Sequence, residues 1–287
     1  MNSIKDVLIK SIFETKAIRV CPSNKPFWYT SGKIGPYYIN THFLYGSEEK
    51  ANSLLKLIDS VKEKKQECSG ILHEQVMKNY NEDMIFRTTI DALVDSISNA
   101  IPDGDFDYIS GGERRDWFFS LPVAEILNKP HITIFKDADA YVFENQRSEK
   151  LVNLNGKKVL HIADLITTAS SYERAWIPAI NKVKGLMENS FVIIDRLQGG
   201  GELLGNLEVK SHALIGIQKN VFEMAYERKY IDLDQYNMVV KYIKEPDEFM
   251  REFFITNPNF IKSALDGDEK TASRAKLCIE SGFCPEI

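Results

Sequence analysis

The sequence predicts an α/β fold, a mainly parallel twisted sheet flanked by helices, with an N-terminal aromatic segment and extra helices outside the alternation. Three observations carry this. Five short apolar runs, FDYIS (106–110), HITIF (131–135), KVLHIA (158–163), SFVIID (190–195) and SHALIGI (211–217), have the length and content of buried strands. Runs of helical spacing, Trp117 to Leu127 and Ser171 to Lys184, fall between them, and strand–helix alternation is the mark of a parallel sheet. The segments that follow the strands are rich in glycine, hydroxyl and charged residues, at the strand ends where ligands of such sheets bind.

The elements follow in order. Ser3 is placed to cap a first helix with Ile4, Val7, Leu8 and Ile12 on one face. KPFWYTSGKIGPYYIN (25–40) sets aromatics around Ser-Gly and Gly-Pro turns, which is hairpin or loop chemistry. Helical spacing returns over 47–65 (Leu54, Leu55, Ile58, Val61) and 83–98 (Ile85, Phe86, Ile90, Leu93, Val94, Ile97). The polar, lysine-rich stretch between them is expected at the surface. Residues 136–157 join two strands without a helical period, and connections of that length are functional or mobile. Residues 220–287 are helical and charged, ending in the amphipathic GDEKTASRAKLCIESGF. The expected organisation is one α/β domain over 1–245 with a helical insertion near 60–100, followed by a helical extension over 246–287.

With 287 residues, 44% of them hydrophobic and 27% charged, the chain has the composition of a globular protein with a sizeable core. A net charge of −5 gives no reason to expect nucleic acid or an anionic membrane as partner. No apolar run approaches the roughly 20 residues of a membrane span, and the charged N-terminus lacks a signal-peptide core. Cysteines 21, 68, 278 and 284 form no CxxC pair, so reduced thiols in a cytoplasmic protein are expected. Histidines 42, 73, 131, 161 and 212 show no metal spacing, and no protein-held metal is expected. His161, inside an apolar strand, is expected as a buried, hydrogen-bonded core residue.

The most informative stretch is GKKVLHIADLITTASSYERA (156–175). An apolar strand delivers Asp164 to its end, and LITTASS turns the chain into a helix. Free amides and hydroxyls at a helix start suit a dianionic phosphate, with Thr167, Thr168, Ser170 and Ser171 as donors. Asp164 would accept from sugar hydroxyls. On the loop alone, a helix cap at Asp164 with ordinary turn residues accounts for the pattern equally well.

This stretch resembles the PRPP-binding motif of type I phosphoribosyltransferases: a strand, two acids, two apolar residues, Thr-Thr and a small-residue turn. Ala163 and Asp164 occupy the acidic pair, and Ala169 stands where glycine is usual. SGKIGPYYIN (31–40) is similar to the SGxxxPYxxN hood segment of orotate phosphoribosyltransferases, matched by Ser31, Gly32, Pro36, Tyr37 and Asn40, with Lys33 for the usual arginine and Thr30 for lysine. IIDRLQGGGE (193–202) places Arg196 where the family contacts the orotate ring, although pairing with Asp195 or Glu202 is open. FDYISGGERRDWFFSLPVAEIL matches the strand, pyrophosphate loop and helix, with Asp116 at a glycine position.

The resemblance spans residues 3 to 245. It implies transfer of phosphoribose from PRPP to orotate or a related pyrimidine-like base, with Mg²⁺, in a homodimer. The implied catalytic residues are Asp164, Arg115 and Lys136. Thr167, Thr168, Ala169, Ser170 and Ser171 would bind the 5′-phosphate, Arg114 and Arg115 the pyrophosphate, and Tyr37, Tyr38 and Arg196 the base. In FKDADAYVFEN (135–145), Asp139 falls where the family carries a loop lysine and Tyr141 where it carries histidine; a carboxylate there would repel pyrophosphate. Ala163 and Asp139 leave open a second function, a PRPP- or nucleotide-binding homologue without transfer.

Overall fold

The computed structural model describes residues 3–23 and 25–284. The chain begins with α1 (Ile4–Glu14), β1 (Ile18–Val20), β2 (Phe27–Trp28), β3 (Ile34–Gly35), β4 (Tyr37–Ile39) and a 3₁₀ turn at Thr41–Tyr45. Three consecutive helices follow, α2 (Glu48–Val61), α3 (Lys65–Glu82) and α4 (Met84–Ala100). The alternating region comprises β5 (Tyr108–Gly112), α5 (Trp117–Ile126), β6 (His131–Ile134), β7 (Ala140–Glu144), β8 (Arg147–Lys150), β9 (Lys158–Ile166), α6 (Ile177–Lys182), β10 (Leu186–Asp195), α7 (Gly200–Asn206) and β11 (Lys210–Gly216). Five helices close the chain: α8 (Lys219–Glu227), α9 (Leu233–Lys244), α10 (Pro246–Thr256), α11 (Phe260–Leu265) and α12 (Glu269–Glu280). None of the helices is long and apolar enough to cross a membrane among the described residues.

The chain divides into two compact units, one formed by residues through Ala17 with Thr41–Ile217, the other by Ile18–Asn40 with the chain from Gln218 onward. The sequence predicts a boundary near residue 245, and the units divide elsewhere. The reason lies in packing before that point: in the second unit, Tyr37 packs on Phe222 at 5.1 Å and on Tyr242 at 5.7 Å, and Gln235 Nε2 donates to Val20 O at 3.2 Å. The aromatic N-terminal segment and helices α8–α12 thus share one core. Within it, β2 and β3 form the small antiparallel hairpin expected of KPFWYTSGKIGPYYIN, and β1 pairs antiparallel with β4.

The first unit is built on a seven-stranded sheet of order β11-β10-β9-β5-β6-β7-β8. The five strands from β11 to β6 are parallel, as predicted, and their central members read as continuous apolar runs because both faces are covered: Val159, Leu160, Ile162, Phe191, Val192, Ile193 and Ile194 are all buried. From β5 the chain moves outward to β6, then returns across the sheet to β9 and continues the other way to β10 and β11. Beyond the carboxyl ends of β5 and β9, the connections therefore diverge and leave a crevice. Helix α1 starts at a capping box, Ser3 Oγ accepting from Asp6 N at 3.2 Å. Its buried face is Leu8, Ile9, Ile12 and Phe13; Ile4, expected on that face, is exposed because it precedes the first packed turn.

Two expectations are corrected here. The polar stretch between residues 65 and 83 is the 18-residue helix α3 and not a surface segment. It buries Cys68, Ser69, Leu72, His73, Val76 and Asn79, a face too polar to give an apolar period. The polar groups find partners: Ser69 Oγ with Thr133 Oγ1 at 2.8 Å, His73 Nε2 with Glu125 Oε2 at 3.0 Å, and Asn79 Nδ2 donating to Tyr45 O at 2.7 Å. The connection over 136–157 carries the hairpin β7–β8, which extends the sheet antiparallel from β6. Asn145 and Gln146, at φ 49° and 61°, form a two-residue turn with both residues left-handed. Gln at the second position lacks the glycine that makes such turns legible in a sequence.

Candidate functional site

The crevice at the strand-order reversal holds a cavity of about 380 Å³, lined by Glu113–Asp116 after β5, by Ala163–Tyr172 at the end of β9 and beyond it, and by Trp176. Sequence-predicted residues Arg114, Arg115, Asp164 and Thr167–Ser171 all meet there. They come from two loops about 50 positions apart in the chain, brought together because β5 and β9 are neighbours in register, Ser110 opposite His161.

The bend after Asp164 is shaped by two residues without long side chains. Ala169 adopts φ 56°, the left-handed conformation that glycine takes at no steric cost, so the turn keeps the geometry that favours glycine with alanine in its place. Gly200 of α7 packs against the bend from behind: its N donates to Thr167 O at 3.1 Å, and a Cβ there would stand 2.8 Å from that oxygen and 3.2 Å from Ala169 N. Among the described residues, the amides of Thr168, Ala169 and Ser170 donate to no protein acceptor. Thr168, Ser170 and Ser171 are exposed and line the cavity. The chain then continues as a π-helical turn, Tyr172–Trp176, into α6.

The floor of the cavity is acidic. Asp164 is buried, and its Oδ2 has no hydrogen-bond partner among the described residues. Asp116 lies beside it: its Oδ1 accepts from Asp164 N at 3.0 Å and its Oδ2 from Gly112 N at 3.1 Å. Behind them His161, buried as the sequence predicts, holds Ser110 Oγ at 2.9 Å through Nδ1, with Nε2 3.6 Å from Asp116 Oδ2. Burial first, and then the Asp116 charge, push the Asp164 carboxyl up to about 7, against the opposing pull of Arg115 and the Leu165 N–H.

This shift has a sign that can be tested. The folded state keeps a proton on Asp164 at pH values where the unfolded chain, with an ordinary carboxyl near 3.9, has released it. Stability contributed by this group is therefore greatest below about pH 4, declines as pH rises toward 7, and is level above. Asp164→Asn, which imitates the protonated form, is expected to remove that decline. Its stability relative to the unsubstituted protein should increase between pH 5 and pH 8 in denaturant unfolding; a pH-independent difference would refute the shift.

The two arginines differ. Arg114 is paired with Asp59 of α2, within a cluster that includes Lys62, which lies 3.0 Å from Asp59 and 3.7 Å from Glu113. Arg115 forms no ion pair among the described residues and projects its charge on the cavity, where it acts on both Asp164 and the buried His42. Burial, and then Arg115 and Arg114, hold His42 down at about 3, so it is neutral. Lys136 is exposed and lines an outer recess of about 580 Å³ with Asp59, Lys62, Glu113, Arg114 and Arg174, not the cavity itself. Asp139 is neutralised where the sequence predicts a repulsive carboxylate: Lys65 of α3 reaches it at 2.9 Å and Lys150 of β8 at 3.0 Å, while Lys65 also pairs with Asp137.

The base-binding candidates belong to different units. Arg196 follows β10 in the first unit, its N donating to Ile166 O at 2.9 Å. Tyr37 and Tyr38 belong to the second unit. The Tyr37 ring is a core ring enclosed by Phe222 and Tyr242, and its carbonyl accepts from the Tyr29 hydroxyl at 2.6 Å, so its side chain serves packing. Tyr38 is half-buried against Phe27 and Tyr29. Asp59, Lys62 and Lys65 were invisible as site residues because each comes from a helical region remote in sequence from the bend, while Asp116, beside the predicted arginines, reads only as a departure from glycine. Asp116 alone left a signal, a carboxylate at a glycine position.

No family model matches the chain. Individual proteins do. An orotate phosphoribosyltransferase of Staphylothermus marinus is 30% identical over 244 residues, covering 84% of this chain and 96% of the relative. An orotate phosphoribosyltransferase of Sulfurisphaera tokodaii is 26% identical over 237 residues, covering 82% of this chain and 96% of the relative. Among solved structures, the UMP synthase of Leishmania donovani superposes with a TM-score of 0.58 at 16% identity, covering 85% of this chain and 43% of that one, a likeness of fold. Sequence likeness over most of the chain and a shared parallel-sheet architecture agree: the chain belongs to the type I phosphoribosyltransferase family, as a divergent member.

Proposed function

We propose that the protein transfers a phosphoribosyl group from PRPP to orotate or a related pyrimidine-like base. The bond from C1 of the ribose to the pyrophosphate oxygen breaks, its electron pair leaving with pyrophosphate, and a bond from C1 to a ring nitrogen of the base forms as that nitrogen releases its proton to solvent or to the departing pyrophosphate. The observation that carries this reading is that one crevice joins a bend with unengaged amides, two carboxylates and an arginine without an ion pair among the described residues. The bend at Thr167–Ser171 would hold the 5′-phosphate, the carboxylates would face the sugar, and Arg115 would take up charge on the departing pyrophosphate. Arg114 and Lys136, at the shared rim and in the outer recess, would extend that positive field. Arg196, at the end of β10, is the candidate for the base.

Magnesium is part of this proposal. The described residues contain no cluster of three or more metal-ligating side chains, and two carboxylates with a phosphorylated ligand fit a cation held largely by ligand oxygens and water. When bound, it would neutralise pyrophosphate charge.

A second reading, binding without transfer, is favoured by Asp139 at the start of the short β7–β8 hairpin, a carboxylate engaged within the protein where the resemblance has a loop lysine. Steady-state assay of PRPP with orotate and Mg²⁺, followed by a panel of bases, separates the two. Pyrophosphate release that depends on the base is expected; calorimetric binding of PRPP without any turnover across the panel would select the binding module.

A further inference from the structure

Two of the four cysteines meet at the end of helix α12, away from the cavity. The helix stops in a left-handed turn: Gly282 takes φ 68°, its N donates to Ile279 O at 3.0 Å, and Phe283 N donates to Cys278 O at 3.1 Å. That nested pair of bonds, closing on a glycine, is the Schellman ending of a helix, and it folds the chain back along the last helical turn. Cys284, the next residue, is returned to Cys278, and the two thiols hydrogen-bond. A spacing of six residues matches no redox motif, so the contact is made by the turn and is hidden in the sequence. The two thiols are unequal. Cys278 is fully buried, and burial, with the neighbouring Cys284 charge after it, pushes its thiol up to about 12. Cys284 is half-buried on the turn.

The same turn grips the β2–β3 hairpin. Gly32, at φ 80°, lies so close to α12 that a Cβ would stand 2.9 Å from Cys278 N and 3.1 Å from Leu277 C. Lys33 Nζ lies 4.7 Å from the Phe283 ring centroid and 2.8 Å from Asp247 Oδ1. Arg274 Nη1 donates to Trp28 O at 2.8 Å. The hairpin is therefore held by Cys278 itself and by the immediate neighbours of both cysteines.

We propose that Cys278 and Cys284 form a thiol–disulfide exchange site whose co-reactant is a small-molecule disulfide of the glutathione class, and that its oxidation tightens the hold of the α12 turn on the hairpin. Cys284, its proton released to solvent, attacks one sulfur of the co-reactant. That S–S bond breaks, and its electron pair leaves on a thiolate that takes up a proton. The mixed disulfide removes the Cys284 charge from beside Cys278. Cys278 then gives up its proton and attacks Cys284 Sγ, expelling the second small thiolate, which is protonated in turn. Two protein thiols are oxidised, and one small disulfide is reduced to two thiols. The closed ring restrains the turn against fraying. The pair and the hairpin both lie in the second unit, and this chemistry does not depend on the phosphoribosyl reading.

The test equilibrates the full chain in mixtures of reduced and oxidised glutathione, then quenches with acid, alkylates and reads peptides by mass spectrometry. One intramolecular Cys278–Cys284 disulfide per chain is expected, reversed by excess reduced glutathione, with the buried Cys21 and Cys68 left as thiols. A lasting glutathione adduct on Cys284 of the unsubstituted protein, or disulfide-linked dimers through it, overturns the exchange site. Cys284→Ser should leave Cys278 unmodified; an adduct on Cys278 in that variant overturns the assignment of Cys284 as the attacking thiol. Cys278→Ala should stop with glutathione on Cys284, and if that variant does not fold, the unsubstituted chain and Cys284→Ser decide the matter alone. Amide hydrogen exchange at Gly32 and Phe283 should slow severalfold in the oxidised protein relative to the reduced one. Equal rates in the two forms overturn the coupling to the hairpin.

Discussion

Arg115→Ala is expected to lower phosphoribosyl turnover by about 10²–10³-fold, with base affinity nearly unchanged. The asymmetry with its neighbour is the informative part. Arg114 is tied to Asp59 and shares a cluster with Lys62 and Glu113, so its charge is partly spent within the protein. Arg115 has no such partner among the described residues and faces the cavity, where its guanidinium can meet phosphate oxygens in a two-pronged contact. Charge that develops only as pyrophosphate leaves is stabilised in the transition state more than in the bound substrate, so the loss should fall on kcat. Arg114→Ala should cost less than about tenfold. Equal losses for the two variants, or a loss in Arg115→Ala confined to base binding, would contradict the leaving-group assignment.

Gly200→Val is expected to abolish phosphate binding at the bend or to weaken it by more than about tenfold, while the fold loses only about 1–3 kcal/mol. Any Cβ at position 200 would stand 2.3 Å from Ile166 Cγ2 and 2.8 Å from Thr167 O. Ile166 is buried at the end of β9 and has little room to retreat, so the displacement falls on the bend. Its amides must converge on one anion, and a shift of the Thr167 and Ala169 backbone scatters them. Isothermal titration with inorganic phosphate, paired with thermal unfolding, separates this from general destabilisation. Wild-type phosphate affinity in Gly200→Val would show that the bend is not the anion site.

Much of this architecture was legible because its signals are local. Apolar runs marked every parallel strand, and Asp164 followed by LITTASS marked the bend, since strand ends and small-residue turns are written in consecutive residues. What escaped was set by tertiary partners. Helix α3 buries cysteine, serine, histidine and asparagine that are acceptable inside only because Thr133, Glu125 and Tyr45 receive them. The β7–β8 hairpin turns at Asn145-Gln146 without glycine. Asp139, a hostile charge in the sequence, is matched by Lys65 from a helix more than 70 residues earlier. The floor of the cavity illustrates the limit best: linear spacing shows Asp164 alone, and only the register of β5 against β9 brings Asp116 beside it.

The account depends most on the bend after Asp164 being an anion site, and a crystal structure with ribose 5-phosphate tests that directly. The phosphate should lie in the bend, within about 3 Å of the amides of Thr168, Ala169 and Ser170, with the sugar toward Asp164. A phosphate bound elsewhere, with the bend left to solvent, would contradict it.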